Sequence, residues 1–415
     1  MIPDVSGNAL LLLGFAFLGI TLGKVLRLEM TLACLLTGLL AGQLLAPLGL
    51  DTGVRAHNVE DFVFFILLPP LLFQAAWHIR LAELRQWLLP IITLSTVGVG
   101  LSALTTATLT YFLIDHPGFP WLAAMLAGAI LAAIDPVAVV TGLKKEHAAN
   151  DVTTLIEGES LLNDATAAIL FGLVLACALN TDGSLDAAAT GGLVLKHMVI
   201  APLFGGALGL FFHLLIRYLA SATTTHGLLV FAAFASFFIA ESILRVSGII
   251  SVVATGIGMR WLFSRQSTIP STDLEITWNW LGETWVALTY MLMGLVIVPA
   301  MFLDQWLAAL IAVPVALVSR WIAVYGSTWP ATALGLRQAV PNAWRPLLVW
   351  GGLRGAIAIA LVLALPTELP YWYTLQAMVF SVVLFSSLVQ GTTTGWLIRR
   401  QGLAGQAAPA SGETS

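Results

Sequence analysis

Apolar stretches of about 20 residues, long enough to cross a bilayer core of roughly 30 Å, recur along the chain with short polar clusters between them. The pattern predicts an all-α polytopic membrane protein with about 13 transmembrane helices. The first six spans run near 9–23, 30–50, 62–77, 87–114, 121–143 and 155–179. The other seven run near 193–218, 227–244, 248–263, 280–303, 306–325, 346–365 and 372–398.

The charges at the span ends assign the sides. One alternating set of connections holds Lys24, Arg27, Arg80, Arg85, Lys144, Lys145, Arg217, Arg260, Arg265, Arg337, Arg345, Arg399 and Arg400. The opposite set holds only Arg55, Lys196 and Arg245. By the positive-inside rule the N-terminus is expected outside and the C-terminus in the cytoplasm. Met1 to Gly7 contains no Lys or Arg, so it lacks the basic start of a secretory signal and the first span is expected to be retained.

Composition narrows the class further. Only 10% of residues are charged and 59% are hydrophobic, which excludes a soluble enzyme, a disordered chain and a nucleic-acid binder. Cys34 and Cys177 each lie in an apolar stretch, where no disulfide is expected. Residues 1–400 form a single transport domain in this reading, and 401–415 a short cytoplasmic tail expected to be disordered. The function therefore resides in the bilayer.

Ionisable groups inside a span are costly, at least about 2.5–3.5 kcal/mol each on insertion scales, and mark functional positions. They gather in two places. In the fifth span Asp135 is followed by Pro136, which has no N–H and clashes with the preceding turn. The helix should break near Ile134 and Asp135 and free carbonyls there. The sixth span begins Glu157-Gly158-Glu159-Ser160-Leu161-Leu162-Asn163-Asp164. At about 100° per residue, Glu157, Glu159, Ser160, Asn163 and Asp164 fit within an arc of roughly 160°. Glu157 also suits a helix cap, but Asp164 lies two turns deeper, beyond the reach of a capping role.

A second interruption, Gly351-Gly352-Leu353-Arg354-Gly355, falls in the twelfth span. Arg354 is the only charge of that span, and Glu159 or Glu157 is the nearest surplus carboxylate. Spans five and twelve hold corresponding places in two six-span sets, which points to inverted-topology repeats with crossing discontinuous helices. The repeats are placed at about 8–180 and 226–398, with a linking span at 193–218. Asp135 and Arg354 are the sign-matched compensators for the half-helix ends at the crossing.

Together, Leu67-Leu68-Pro69-Pro70-Leu71-Leu72-Phe73, Asp135-Pro136-Val137, Gly158-Glu159-Ser160-Leu161-Leu162-Asn163-Asp164, Ser247-Gly248-Ile249 and Gly352-Leu353-Arg354-Gly355-Ala356 resemble the motifs of the monovalent cation/proton antiporters. The branch is the one that contains the prokaryotic sodium/proton antiporters and the animal sodium/hydrogen exchangers. The resemblance implies that Asp164, in the Asn163-Asp164 pair, binds either a cation or a proton. It implies that Ser160 and a carbonyl at the break, that of Ile134 beside Asp135, join in coordinating the cation, and that Glu159 and Arg354 form a structural ion pair. Arg320 is supportive in that scheme, Glu241 structural, and a homodimer is implied. Two positions depart from the family pattern: Ile134 stands where a Thr or Ser usually precedes Asp-Pro, and Gln74 where many relatives carry an acid.

The expected activity is Na⁺ or Li⁺ exchange for H⁺ in a bacterial-type inner membrane, serving pH homeostasis, with lipid as surroundings and no cofactor. Cation and proton would compete for the Asp164 carboxylate, with Asp135 and oxygens of Ser160, Asn163 and Ile134 completing the cation- and proton-binding set. Because Asn163 carries no proton, one titrating site predicts electroneutral 1:1 exchange. The two departures keep K⁺/H⁺ exchange open as an alternative. An intramembrane hydrolase using Ser160, or Asp135 with Asp164, is the reading from another class, and it lacks an intramembrane His near the cluster.

Overall fold

A computed structural model describes residues 2–45, 62–79, 81–114, 118–179, 187–219, 222–265, 271–335 and 338–405. These residues are helical throughout their span regions, and each expected span has a counterpart. The helices are α1 (Ile2–Leu26), α2 (Met30–Leu45), α3 (Val63–His78), α4 (Ala82–Leu113), α5 (Trp121–Lys145) and α6 (Asn150–Leu179). They continue with α7 (Ala187–Leu219), α8 (Thr224–Leu244), α9 (Gly248–Ser264), α10 (Ser271–Val296) and α11 (Trp306–Ala333). Next comes α12, split into Arg345–Trp350 and Ala356–Leu363, and last α13 (Trp372–Arg400). The tenth span stops at Val296, earlier than expected, and a separate short helix, Ala300–Asp304, leads into α11.

Local sequence explains the irregularities. Pro136 ends the regular ladder of α5, leaving half-helices Trp121–Ala132 and Val137–Lys145. Pro90 lies inside α4, one turn before a π-helical turn at Leu94–Gly98. In α12 the glycine-rich run 351–355 leaves the helix and re-enters it at Ala356.

The helices pack in two groups. The first contains α1, α2, α3, α7, α8, α9 and α10, and the second contains α4, α5, α6, α11, α12 and α13. Close approach within the first group depends on small residues. Gly38 and Gly42 of α2 face α10 so tightly that a Cβ on Gly42 would lie 2.8 Å from the Leu295 carbonyl oxygen. Hydroxyls join α7, α8 and α9: Ser236 Oγ lies 2.7 Å from Ser251 Oγ and 2.8 Å from Thr255 Oγ1, and Thr255 donates to the Gly205 carbonyl at 2.9 Å. Such pairs satisfy polar groups where no water competes. In the second group α5 and α12 take corresponding places, each interrupted midway.

After Arg400, residues 401–405 fold back in turns, and the Gly405 N–H donates to the Glu146 carbonyl at 2.9 Å. Arg399 also pairs with the Glu146 carboxylate. The rest of the expected tail lies outside the described residues.

Candidate functional site

The two breaks touch. The main-chain N–H of Asp135 donates to the Leu353 carbonyl at 2.9 Å, so the interrupted backbones partly satisfy each other. Each break also presents the N-terminus of its second half-helix to the Asp135 carboxylate. Val137 N–H donates to Oδ1 at 3.0 Å, the Ala356 N–H reaches the same carboxylate, and the Tyr290 hydroxyl of α10 donates to Oδ2 at 2.9 Å. A negative side chain answers two positive helix ends, as the sequence expectation required. Gly355 makes the fit possible, because a Cβ there would collide with the Asp135 carboxyl.

Arg354 does the complementary task. Its Nη1 donates to the Gly352 carbonyl at 2.7 Å, next to the C-terminal end of the first half of α12. Among the described residues its Nε has no hydrogen-bond partner. Glu159 does not pair with it. Instead, Arg320 of α11 grips Glu159 with both terminal nitrogens, Nη1 to Oε1 at 2.6 Å and Nη2 to Oε2 at 3.0 Å. Its Nε donates to the Leu348 carbonyl at 3.0 Å. The expected Glu159–Arg354 pair is thus corrected to Glu159–Arg320, and the reason is steric. Arg320 passes over Gly352, where a Cβ would lie 2.6 Å from its Nε, while Arg354 turns into its own break. Both partners are almost wholly buried, and the planar fork satisfies the carboxylate bidentately.

On the adjacent face of α6 lies a cavity of about 400 Å³ between the two helix groups. Asp135, Ser160 and Asp164 line it, together with main-chain and side-chain atoms of Ala133, Ile134 and Pro136. Ser160 Oγ donates to the Ile134 carbonyl at 2.9 Å, and the Ile134 N–H bonds Asp164. The Ile134 backbone therefore does what its apolar side chain cannot. Gln74 of α3 also faces the cavity, against Gly282 of α10, where any side chain would overlap its amide. Further out, Glu157 pairs with Lys144 at 3.2 Å, not with Arg354. Lys144, Thr141 and Glu283 are exposed lining residues, so the cavity reaches the surface on the Lys/Arg-rich side of the bundle.

Asn163 departs from expectation. It is 1% exposed, does not line the cavity, and among the described residues its Oδ1 finds no hydrogen-bond partner. Residue 163 is four positions from Glu159 and only one from Asp164, so it shares the Glu159 face. The polar arc of α6 is really two faces meeting different neighbours.

Sequence reasoning missed Tyr290, Glu283 and the direct role of Arg320. A usable signal existed for the first and last, since a tyrosine hydroxyl and an arginine inside apolar spans each need a partner. Glu29, in the connection between α1 and α2, lies within electrostatic range of Asp135 and Tyr290 and was also overlooked.

An interrupted crossing with buried carboxylates lining a cavity that reaches the surface defines a secondary transporter of small ions. The chain belongs to the sodium/hydrogen exchanger transmembrane family, whose profile it matches over residues 12–400. It is 31% identical to the Na(+)/H(+) antiporter NhaH of Halobacillus dabanensis, over 96% of this chain and 98% of that one. It is 30% identical to the Na(+)/H(+) antiporter NhaP of Pseudomonas aeruginosa, over 84% of this chain and 82% of that one. The solved sodium proton antiporter MjNhaP1 of Methanocaldococcus jannaschii superposes with a TM-score of 0.80 at 16% identity, covering 96% of this chain and 99% of its own, and shows the shared fold. Membership makes the protein an integral multi-pass antiporter and not an enzyme.

Proposed function

We propose that this chain exchanges a monovalent cation, Na⁺ foremost, for one proton at Asp164. The single observation that carries the reading is the contrast between two cavity carboxylates. Asp135 is occupied by Val137, Ala356 and Tyr290 donors, whereas Asp164, among the described residues, has only the Ile134 N–H and otherwise faces the cavity. A buried carboxylate must be neutralised, and a proton and a cation are the alternatives; they cannot both be held by one charge. Competition then enforces exchange.

Hard monovalent ions favour oxygen ligands. Ser160 Oγ, the Ile134 carbonyl and Asp164 supply a set within one turn of α6 and the break, and Gln74 adds an amide oxygen across the cavity. With Asp135 held by three hydrogen-bond donors and Asp164 as the group that exchanges its proton, one proton moves per cation with no net charge moved. Alternating access follows if the group containing α5 and α12 moves against the group containing α3 and α10. The Lys/Arg-rich side, to which the cavity opens, is the cytoplasmic side in this reading. The transporter works as a homodimer in a bacterial-type inner membrane, its N-terminus outside, its surroundings lipid.

The test is dequenching of a pH-sensitive dye in proteoliposomes, with Na⁺, Li⁺ and K⁺ added in turn to wild type and Asp164→Asn. Proton flux triggered by Na⁺ or Li⁺ and abolished in the variant is the expected result. Flux that persists in Asp164→Asn overturns the site, and a response to K⁺ alone replaces the ion.

A further inference from the structure

The face of α10 that borders the cavity descends in helical steps through Asn279, Gly282, Glu283 and Val286. The next step on that face is Tyr290, which is 4% exposed and does not line the cavity. Its ring therefore lies one helical step beyond Val286, the innermost α10 residue lining the cavity. Its hydroxyl does not stay within its own helix group, for it donates to Asp135 Oδ2 at 2.9 Å, across to the crossing of α5 and α12.

We propose that Tyr290 is a positioning residue of the exchange cycle: its hydroxyl ties the α10 group to the Asp135 crossing, one helical step beyond the cavity-lining stretch of α10, and this tie must part each time the two helix groups move past one another. The inference rests on the reading of Asp164 as the exchange site. It goes further by naming the contact whose making and breaking sets the balance between the two open states.

Three observations converge. The bond joins the groups that have to separate, and it is a direct side-chain contact of 2.9 Å between buried groups. The acceptor is held rigidly, because Val137 and Ala356 N–H groups and the absence of a side chain at Gly355 leave the Asp135 carboxylate one position. The donor is constrained as well, since Tyr290 is buried in the core. A bond between two fixed groups acts as an on-or-off contact, which is what a two-state movement needs.

The experiment uses full-length protein with Cys34→Ser and Cys177→Ser and a reporter Ile357→Cys, which lies on the crossing and lines the cavity. Labelling by a membrane-impermeant maleimide is measured from each side of the membrane, and the ratio of the two rates reports the balance of open states. Tyr290→Phe keeps the ring and removes the hydroxyl. It is expected to move the ratio away from the Lys/Arg-rich side by roughly fivefold, from the usual net strength of a protein hydrogen bond. The cation KM measured from that side should rise while the bound complex keeps its ion order, because the competent fraction falls. Tyr290→His, which keeps a donor, should restore the ratio in part.

A ratio and KM in Tyr290→Phe equal to wild type, with Asp164→Asn inactive, overturns the Tyr290 inference alone. Exchange surviving in Asp164→Asn overturns the site reading instead. Should Tyr290→Phe not yield monodisperse protein, Tyr290→Leu is read against Tyr290→His by the same ratio, and equal values for the two overturn the proposal.

Discussion

Two faces of α6 carry nearly the same chemistry and meet opposite fates. On one, Glu159 is clasped by Arg320 and Asn163 is packed away beside it; on the other, Ser160 and Asp164 look into a cavity that reaches the surface. The acid with a fixed cationic partner has a settled charge and holds helices together. In the proposed mechanism the acid without one borrows its counter-charge from solution. A carboxylate's partner, more than its depth, separates structure from transport.

The strongest way to break this comparison is Asp164→Asn, which leaves the shape and removes the titrating charge. Cation-driven proton flux should fall at least 100-fold with folding unchanged, read by dye dequenching and by the elution profile of the purified protein. Second in size is Glu159→Ala. It leaves Arg320 buried without its counter-ion, a loss of about 3–5 kcal/mol when one member of a buried pair is removed. Thermal unfolding in detergent should shift down sharply, and if it does not, the Glu159 face is not structural.

Gly352→Ala addresses the same pair by shape alone. The new methyl would press on Arg320, and overpacking of this kind costs about 1–3 kcal/mol. The midpoint of unfolding should fall less than in Glu159→Ala, with the ion order of exchange unchanged. Asn163→Ala sharpens the division between the faces, since Asn163 lies off the cavity wall: the cation KM should stay within about twofold of wild type. A tenfold rise would move Asn163 to the transport face. Smallest of all is Glu157→Gln, which breaks an ion pair with a largely exposed Lys144 worth about 0–1 kcal/mol. Stability should be nearly unaltered, and any effect should fade with added salt.

Much of this was legible beforehand because it depends on near neighbours in the chain. Pro136 breaks α5 wherever the helix goes, and the glycines around Arg354 weaken α12 for local reasons. Burial of Ser160 and Asp164 on one face follows from their spacing of four. The pairing of Glu159 was not readable in the same way. Arg354 and Arg320 both offer a guanidinium at membrane depth, and only the path of Arg320 over Gly352 chooses between them. Asn163 misled for a related reason, since an arc of roughly 160° is wide enough to meet two neighbouring helices with different contents.

The amino-acid order by itself determined that the chain crosses a membrane many times, that two of its helices are interrupted, and where acids lie within the spans. These follow from hydropathy over about 20 residues, from backbone limits at Pro and Gly, and from helical periodicity, all short-range properties. Which acid meets a fixed cation was decided only when Arg320 of α11 reached Glu159 and Tyr290 of α10 reached Asp135. Counter-charges and hydrogen-bond donors come from residues 155 and 161 positions away, and no local pattern encodes which distant side chain arrives first.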